Sequence, residues 1–172
     1  HAKGIINDNY ELSMSWLGMH GHAGANYLVQ EADCIIALGS RFDDRTTGNT
    51  EFYAPEATGK KQIIHVDIEP KQFNKSVNSH YNIHCDVKTF LNNINHMIKF
   101  NIRKNNKKRV KELKDKFKFK YNVPENNKIN TPQAIKSIDN YINESKKKTR
   151  ITTGVGNHQM MTYQFVEGRF PK

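Results

Sequence analysis

Residues 33–40, DCIIALGS, make a short continuous apolar run closed by polar residues at both ends. Such a run fits a strand buried on both faces. Ahead of it, Leu17-Gly18-Met19-His20-Gly21 sets two glycines three apart. His22–Asp33 then reads as a helix, with Ala23, Ala25, Leu28, Val29 and Ala32 as its packing positions. Behind it, Gly39 and Ser40 end the strand, and Arg41-Phe42-Asp43-Asp44-Arg45 puts four charges into five residues. Gly-rich turn, helix, strand and charged loop, in that order, suit a site that holds a phosphate-bearing cofactor and offers charge to a second ligand.

The pattern continues downstream. Lys61–Glu69 (KQIIHVDIE) reads as a second buried strand, stopped by Pro70. Lys71–Ser76 reads as a short helix or turn, and Tyr81–Cys85 as a third strand ending at Asp86. Val87–Ile98 carries Phe90, Leu91, Ile94, Met97 and Ile98 at helical spacing, with Asp86 as N-cap. Phe52, Tyr53 and Pro55 are expected to pack down the loop after Arg45. The fold class is therefore α/β, an open parallel sheet flanked by helices.

Pro124 and the cluster 125–128 mark a boundary. Thr131-Pro132 opens another helix, with Thr131 as cap, Ile135, Ile138 and Ile142 as buried face, and Lys146–Lys148 at its end. Arg150–Val155 reads as a strand, and Gly156-Asn157-His158-Gln159 starts a last helix. Two domains are expected, 1–128 and a truncated 129–172. The chain starts at His1 and stops just after a strand–helix opening, so it reads as a piece of a longer polypeptide.

The net charge of +10 is unevenly spread. Arg103–Lys120 holds ten Lys/Arg against Glu112 and Asp115, which leaves about +2 elsewhere. Val110, Leu113, Phe117 and Tyr121 recur there at spacings of three and four, the stripe of an amphipathic helix with a solvated lysine-rich face. A polyanion patch is the alternative, but no RNA-binding aromatic signature accompanies it, so nucleic acid is not expected as a partner. No run of about 18 apolar residues suggests a membrane span. Cys34 and Cys85 lie in apolar runs without metal-ligand spacing and read as buried free thiols of a reducing compartment. The eight histidines form no metal-binding group, and no nucleophile motif is present.

Taken from the residues alone, the site remains open. Gly18 and Gly21 suit a diphosphate seat or an ordinary loop. The 41–45 loop suits ligand contacts or a surface turn with mutual ion pairs. The acids closing the strands suit a ribose or helix caps.

LGMHG, followed by ANY-V--AD-IIALG-RFDDR-TGN, resembles the large catalytic subunit of the acetohydroxyacid synthases. IIHVDIEP---NK, the strand ending at Asp86, and ITTGVGNHQMMTYQF extend the resemblance over nearly the whole chain, most weakly over 99–130. The family implies condensation of pyruvate with pyruvate or 2-oxobutyrate, with loss of carbon dioxide, at the start of branched-chain amino acid synthesis. It implies thiamine diphosphate, Mg2+ and a structural FAD, a six-stranded parallel sheet in the central FAD-binding domain, a homodimer or homotetramer, and a regulatory subunit. Its compartments are the cytoplasm in bacteria and the plastid or mitochondrion in eukaryotes.

Carried over residue by residue, the resemblance assigns His20, Gly21, His22, Ala23, Gly39, Ser40, Arg41, Asp67, Ile68, Glu69 and Asp86 to FAD. Gly21 and Ala23 would seat the diphosphate, 39–41 would border the ribityl–phosphate chain, and Asp67, Ile68 and Asp86 would reach the adenosine end. Met19, Asp44 and Arg45 would line the substrate entrance, with Arg45 pairing a 2-oxo acid carboxylate. Gly156, Asn157 and His158 would meet thiamine diphosphate. Gly154 and Asn157 replace the family's usual Asp and Gln. The catalytic glutamate and the magnesium motif match nothing in these residues, so the chain alone is expected to be inactive. The rival readings are another thiamine-dependent enzyme, of pyruvate oxidase or glyoxylate carboligase type, and a non-catalytic flavin- or nucleotide-binding module.

Overall fold

A computed structural model describes residues 2–98, 104–125, 128–145 and 147–168. The chain divides into two compact units, His1–Ala25 with Lys107–Lys172, and Asn26–Asn106. Arg103, Lys146 and residues 126–127 of the boundary cluster lie outside the described residues.

The unit Asn26–Asn106 is built on three parallel strands in the order β1-β2-β3. These are β1 (Ile35–Leu38), β2 (Ile63–Asp67) and β3 (Tyr81–His84). Ile35 pairs with Ile63 and Leu38 with Val66, while Ile64 pairs with Tyr81 and Asp67 with His84. The sheet is open and parallel and lies among helices, as the run pattern predicts; three strands form among the described residues. Between β1 and β2 come α2 (Asp44–Thr47), a 3-10 turn at Thr50–Phe52 and α3 (Pro55–Gly59). A second 3-10 turn, Pro70–Gln72, follows β2, and α4 (Val87–Met97) follows β3 and packs on β2.

The core explains the register. Ala37, Phe42, Tyr53, Ala54, Ala57, Ile63 and Val77 are buried together, with Val29 and Ile35 against them. Ile35 and Ala37 share one face of β1 by strand alternation, and the core covers that face. Ile36 and Leu38, on the other face, stay 44% and 40% exposed. The expectation that 33–40 is buried on both faces therefore fails for β1 and holds for the central β2, where only Ile64 is not fully buried. Tyr53 packs the loop down as expected, whereas Phe52 and Pro55 are exposed. The cysteines are free, but Cys34 is exposed and Cys85 half-buried.

The other unit holds most of α5 (Lys104–Lys116), α6 (Thr131–Ser145) and α7 (Asn157–Phe165). Val110 and Leu113 are buried on one side of the basic helix, as expected; Phe117 and Tyr121, the other two residues of the expected stripe, lie beyond the helix end. α6 packs on α7. Its cap is Asn130 rather than Thr131: Asn130 Oδ1 accepts the Gln133 N–H at 2.9 Å. Its buried residue is Asp139, held by Lys136 Nζ at 2.8 Å, while Ile138 is exposed. Residues 150–155 do not form the expected strand, because no strand among the described residues pairs with them, and Val155 is almost fully exposed. The helix α1 (Ala23–Glu31) has its residues to Ala25 in this unit and the rest in the sheet-bearing unit.

Candidate functional site

Parallel strands end on the same edge, and here each ends in residues with chemistry. Gly39 follows β1, Asp67 closes β2 and Asp86 follows β3. Register ties them together: Gly39 N donates to Val66 O at 2.8 Å, and Cys85 N donates to Asp67 O at 3.2 Å. Gly39 takes φ +61, a conformation that glycine adopts without strain. A Cβ at this position would meet only Val87 Cγ2, at 3.9 Å, so the backbone here is open to a ligand. The carboxyl edge of such a sheet is where α/β folds bind ligands.

The two acids are held differently. Asp67 is buried, and its Oδ1 accepts the Glu69 N–H at 2.8 Å. Its Oδ2 lies 3.7 Å from His65 Nε2. Asp86 is exposed and caps α4, its Oδ1 accepting from Lys88 N at 2.9 Å and Thr89 N at 3.2 Å. Ile68 is exposed, and its carbonyl lies 3.0 Å from His84 Nε2. Glu69 accepts the Lys71 N–H and caps the turn after β2.

The charged loop is anchored by its aromatic residue. Phe42 is buried at φ +49, with its ring edge-on to Tyr53 at 5.9 Å and to His65 at 5.0 Å. Asp43 caps α2 by accepting the Thr46 N–H at 3.0 Å. Ser40 Oγ accepts the Phe42 N–H at 3.3 Å. That leaves Arg41, Asp44 and Arg45 exposed, and none of the three makes an ion pair among the described residues. The surface turn with mutual ion pairs does not form; two cations and one anion stand free for a ligand.

The other unit holds the remaining candidates. The amides around the glycine turn have internal partners: Gly21 N donates to Gly18 O at 3.0 Å, and His22 N to Trp16 O at 2.7 Å. His22 Nδ1 accepts the Gly24 N–H at 3.1 Å, which makes it the cap of α1. Burial and the Lys114 cation lower its pKa, a shift toward the neutral ring that this role needs. Met19 is exposed. Trp16 and Tyr163 pack ring against ring at 4.8 Å and a tilt of 44°, and Gln164 Nε2 donates to His20 O at 2.9 Å. The last turn of α7 thus holds the His20 loop. Gly156, Asn157 and His158 lie at the opposite end of α7, about 10 Å of helix rise away. Gly156 takes φ +147, and no side chain caps the helix it opens. Among the described residues no group of three His, Cys, Asp or Glu could hold a metal, and no helix is long and apolar enough to cross a membrane.

Sequence reading missed His65, which is fully buried between Phe42 and Phe73 with both ring nitrogens unpartnered. Its spacing of two from Asp67 on a strand, which puts both on one face, was the available signal.

A family model described as thiamine pyrophosphate enzyme, central domain, matches residues 1–94. The chain is 37% identical over 171 residues to the mitochondrial acetolactate synthase of Schizosaccharomyces pombe, covering 94% of this chain and 26% of that protein. It is 36% identical over 167 residues to the mitochondrial acetolactate synthase catalytic subunit of Saccharomyces cerevisiae, covering 92% and 24%. It is 35% identical over 181 residues to the probable acetolactate synthase large subunit of Methanocaldococcus jannaschii, covering 99% and 29%. The chain spans about a quarter of the length of these curated relatives. More than half of its residues match the family model, and the chain belongs to the thiamine pyrophosphate enzyme family, whose central domain it carries.

Proposed function

We propose that this chain is the central part of an acetolactate synthase catalytic subunit, and that its carboxyl sheet edge binds FAD. The observation that carries the reading is the convergence of Gly39, Asp67 and Asp86 at one edge of a parallel sheet. An open glycine backbone suits close approach of a phosphate-bearing chain, and a carboxylate at a strand end suits a ribose. The similarity to acetolactate synthases over nearly the whole chain supports the same assignment.

In this reading Gly39, Ser40 and Arg41 border the ribityl–phosphate chain, and Asp67, Ile68, Glu69 and Asp86 serve the adenosine end. His20, Gly21, His22 and Ala23 belong to the diphosphate run. The internal partners of the Gly21 and His22 amides leave that role to Ala23 and to side chains. Arg45 pairs the carboxylate of a 2-oxo acid, and Met19 and Asp44 are the other residues assigned to the substrate entrance. The uncapped amides of α7, after Gly156, suit a diphosphate, with Asn157 and His158 as side-chain partners. Thiamine diphosphate, when bound, supplies the stabilised carbanion chemistry that condenses two 2-oxo acids. Mg2+, a regulatory subunit, a homodimer or homotetramer, and the catalytic glutamate belong to the whole polypeptide, so the chain alone is inactive.

The test uses the full-length protein. It should purify with FAD and form acetolactate from pyruvate only with thiamine diphosphate and Mg2+. Pyruvate turnover that yields no new carbon–carbon bond would move the assignment to a pyruvate oxidase type of enzyme. Flavin binding without any turnover would favour a non-catalytic module, a reading favoured by Gly154, which offers no carboxylate beside His158.

A further inference from the structure

His65 is fully buried in the central strand, and neither Nδ1 nor Nε2 has a hydrogen-bond partner among the described residues. Burying two unmade polar groups is unfavourable, and an aliphatic or aromatic side chain would fill the same space without that cost. The ring is also tightly bounded. Phe42 meets it edge-on at 5.0 Å and 77°, and Phe73 at 5.1 Å and 89°. Phe42 does so from a left-handed backbone conformation, which costs energy in a bulky residue and persists only where the surroundings enforce it. The carboxylate facing the imidazole is that of Asp67, with Oδ2 at 3.7 Å from Nε2. The other oxygen of Asp67 is committed to the Glu69 N–H.

We propose that His65 is the positioning residue of Asp67: its Nε2–H closes on Oδ2 when a nucleotide diol engages the carboxylate at the sheet edge. Two donors from the protein, Glu69 N–H on Oδ1 and His65 Nε2–H on Oδ2, then fix the rotation of the carboxyl group. The remaining lone pairs of both oxygens are presented to vicinal hydroxyls. The aromatic walls hold the imidazole plane, so the closing movement is confined to the Asp67 side chain. The ligand class is the ribose of a nucleotide cofactor, so the inference rests on the FAD reading above.

The experiment measures FAD affinity of the full-length protein, by titrating the stripped protein with FAD, alongside urea unfolding. His65→Leu removes the polar ring, and His65→Gln keeps a donor near the position of Nε2. The expected result is a loss of about tenfold in FAD affinity for His65→Leu, on the scale seen when a partner orienting a ligating group is removed. Its unfolding midpoint should stay equal to or above the parent's, and His65→Gln should recover most of the affinity. On an Asp67→Asn background, His65→Leu should cause no further loss. Unchanged affinity in His65→Leu, with Asp67→Asn weakened, overturns the role of His65 and leaves the FAD site standing. Unchanged affinity in Asp67→Asn overturns the FAD reading at this edge. Parallel loss of stability and affinity in His65→Leu, without recovery in His65→Gln, reduces His65 to a packing residue and also overturns the proposal.

Discussion

His22 Nδ1 accepts the backbone N–H of Gly24 at 3.1 Å, so a histidine caps the first turn of α1. The ring can accept only while Nδ1 carries no proton. Its edge-on contact with Phe119 at 5.5 Å holds the ring plane. Replacing His22 with Ala should cost about 1 kcal/mol, the usual worth of an N-cap, read by urea unfolding at neutral pH.

The same residue sets a pH dependence. Burial first, and Lys114 second, lower the pKa of His22 in the folded chain. The unfolded chain therefore takes up the proton at higher pH than the folded one. The contribution of His22 is complete above the ordinary histidine value and is lost as pH falls through it toward the lowered folded value. Unfolding midpoints should drop over that window, and His22→Asn, which caps without titrating, should flatten the drop.

Central and edge strands should respond differently to truncation. Ile63 is fully enclosed, so Ile63→Ala should cost about 2–5 kcal/mol. Leu38 sits on the open face of β1, and Leu38→Ala should cost about 1 kcal/mol or less, given the smaller area it removes from water. Thermal unfolding of the two variants checks the order.

Gly21 has a structural duty apart from any ligand. A Cβ there would lie 2.3 Å from Trp16 O and 2.7 Å from Leu17 C, both backbone atoms. Gly21→Ala must shift the turn and should cost about 1–3 kcal/mol, as overpacking does. Gly59→Ala, where nothing lies within 4 Å, should be neutral within about 0.5 kcal/mol.

Arg45 is exposed and makes no ion pair among the described residues, so its loss should leave the fold intact. In the full-length enzyme, Arg45→Ala should raise the KM for pyruvate by about tenfold or more, the worth of a charge-assisted contact to a carboxylate. Flavin content should stay at the parent level. Equal loss of flavin and activity would make Arg45 a structural residue.

Local signals were legible wherever one element carries its own cause. Asp86 as the cap of α4 follows from a side chain three residues or fewer from the amides it meets. β2 follows from an apolar run that is central in the sheet. The strand expected at 150–155 failed because a strand has no cause of its own: its backbone groups need a partner, and none lies among the described residues. Ile138, expected on the buried face, is exposed and Asp139 is buried, because which side of α6 faces α7 is settled by packing and not by the apolar spacing of α6 itself.

By itself the sequence determined the α/β class, the order of the three strands and the helix after them, the Asp86 cap and the residues that close each strand, since these depend on neighbours within a few positions. Only the tertiary structure decided that β1 is covered on one face, that Phe42 enters the core from a charged loop, and that His65 is enclosed beside Asp67. Those facts depend on residues brought from distant parts of the chain. The spacing of His65 from Asp67 puts the two on one face of a strand, but whether that face is enclosed is a property of its surroundings.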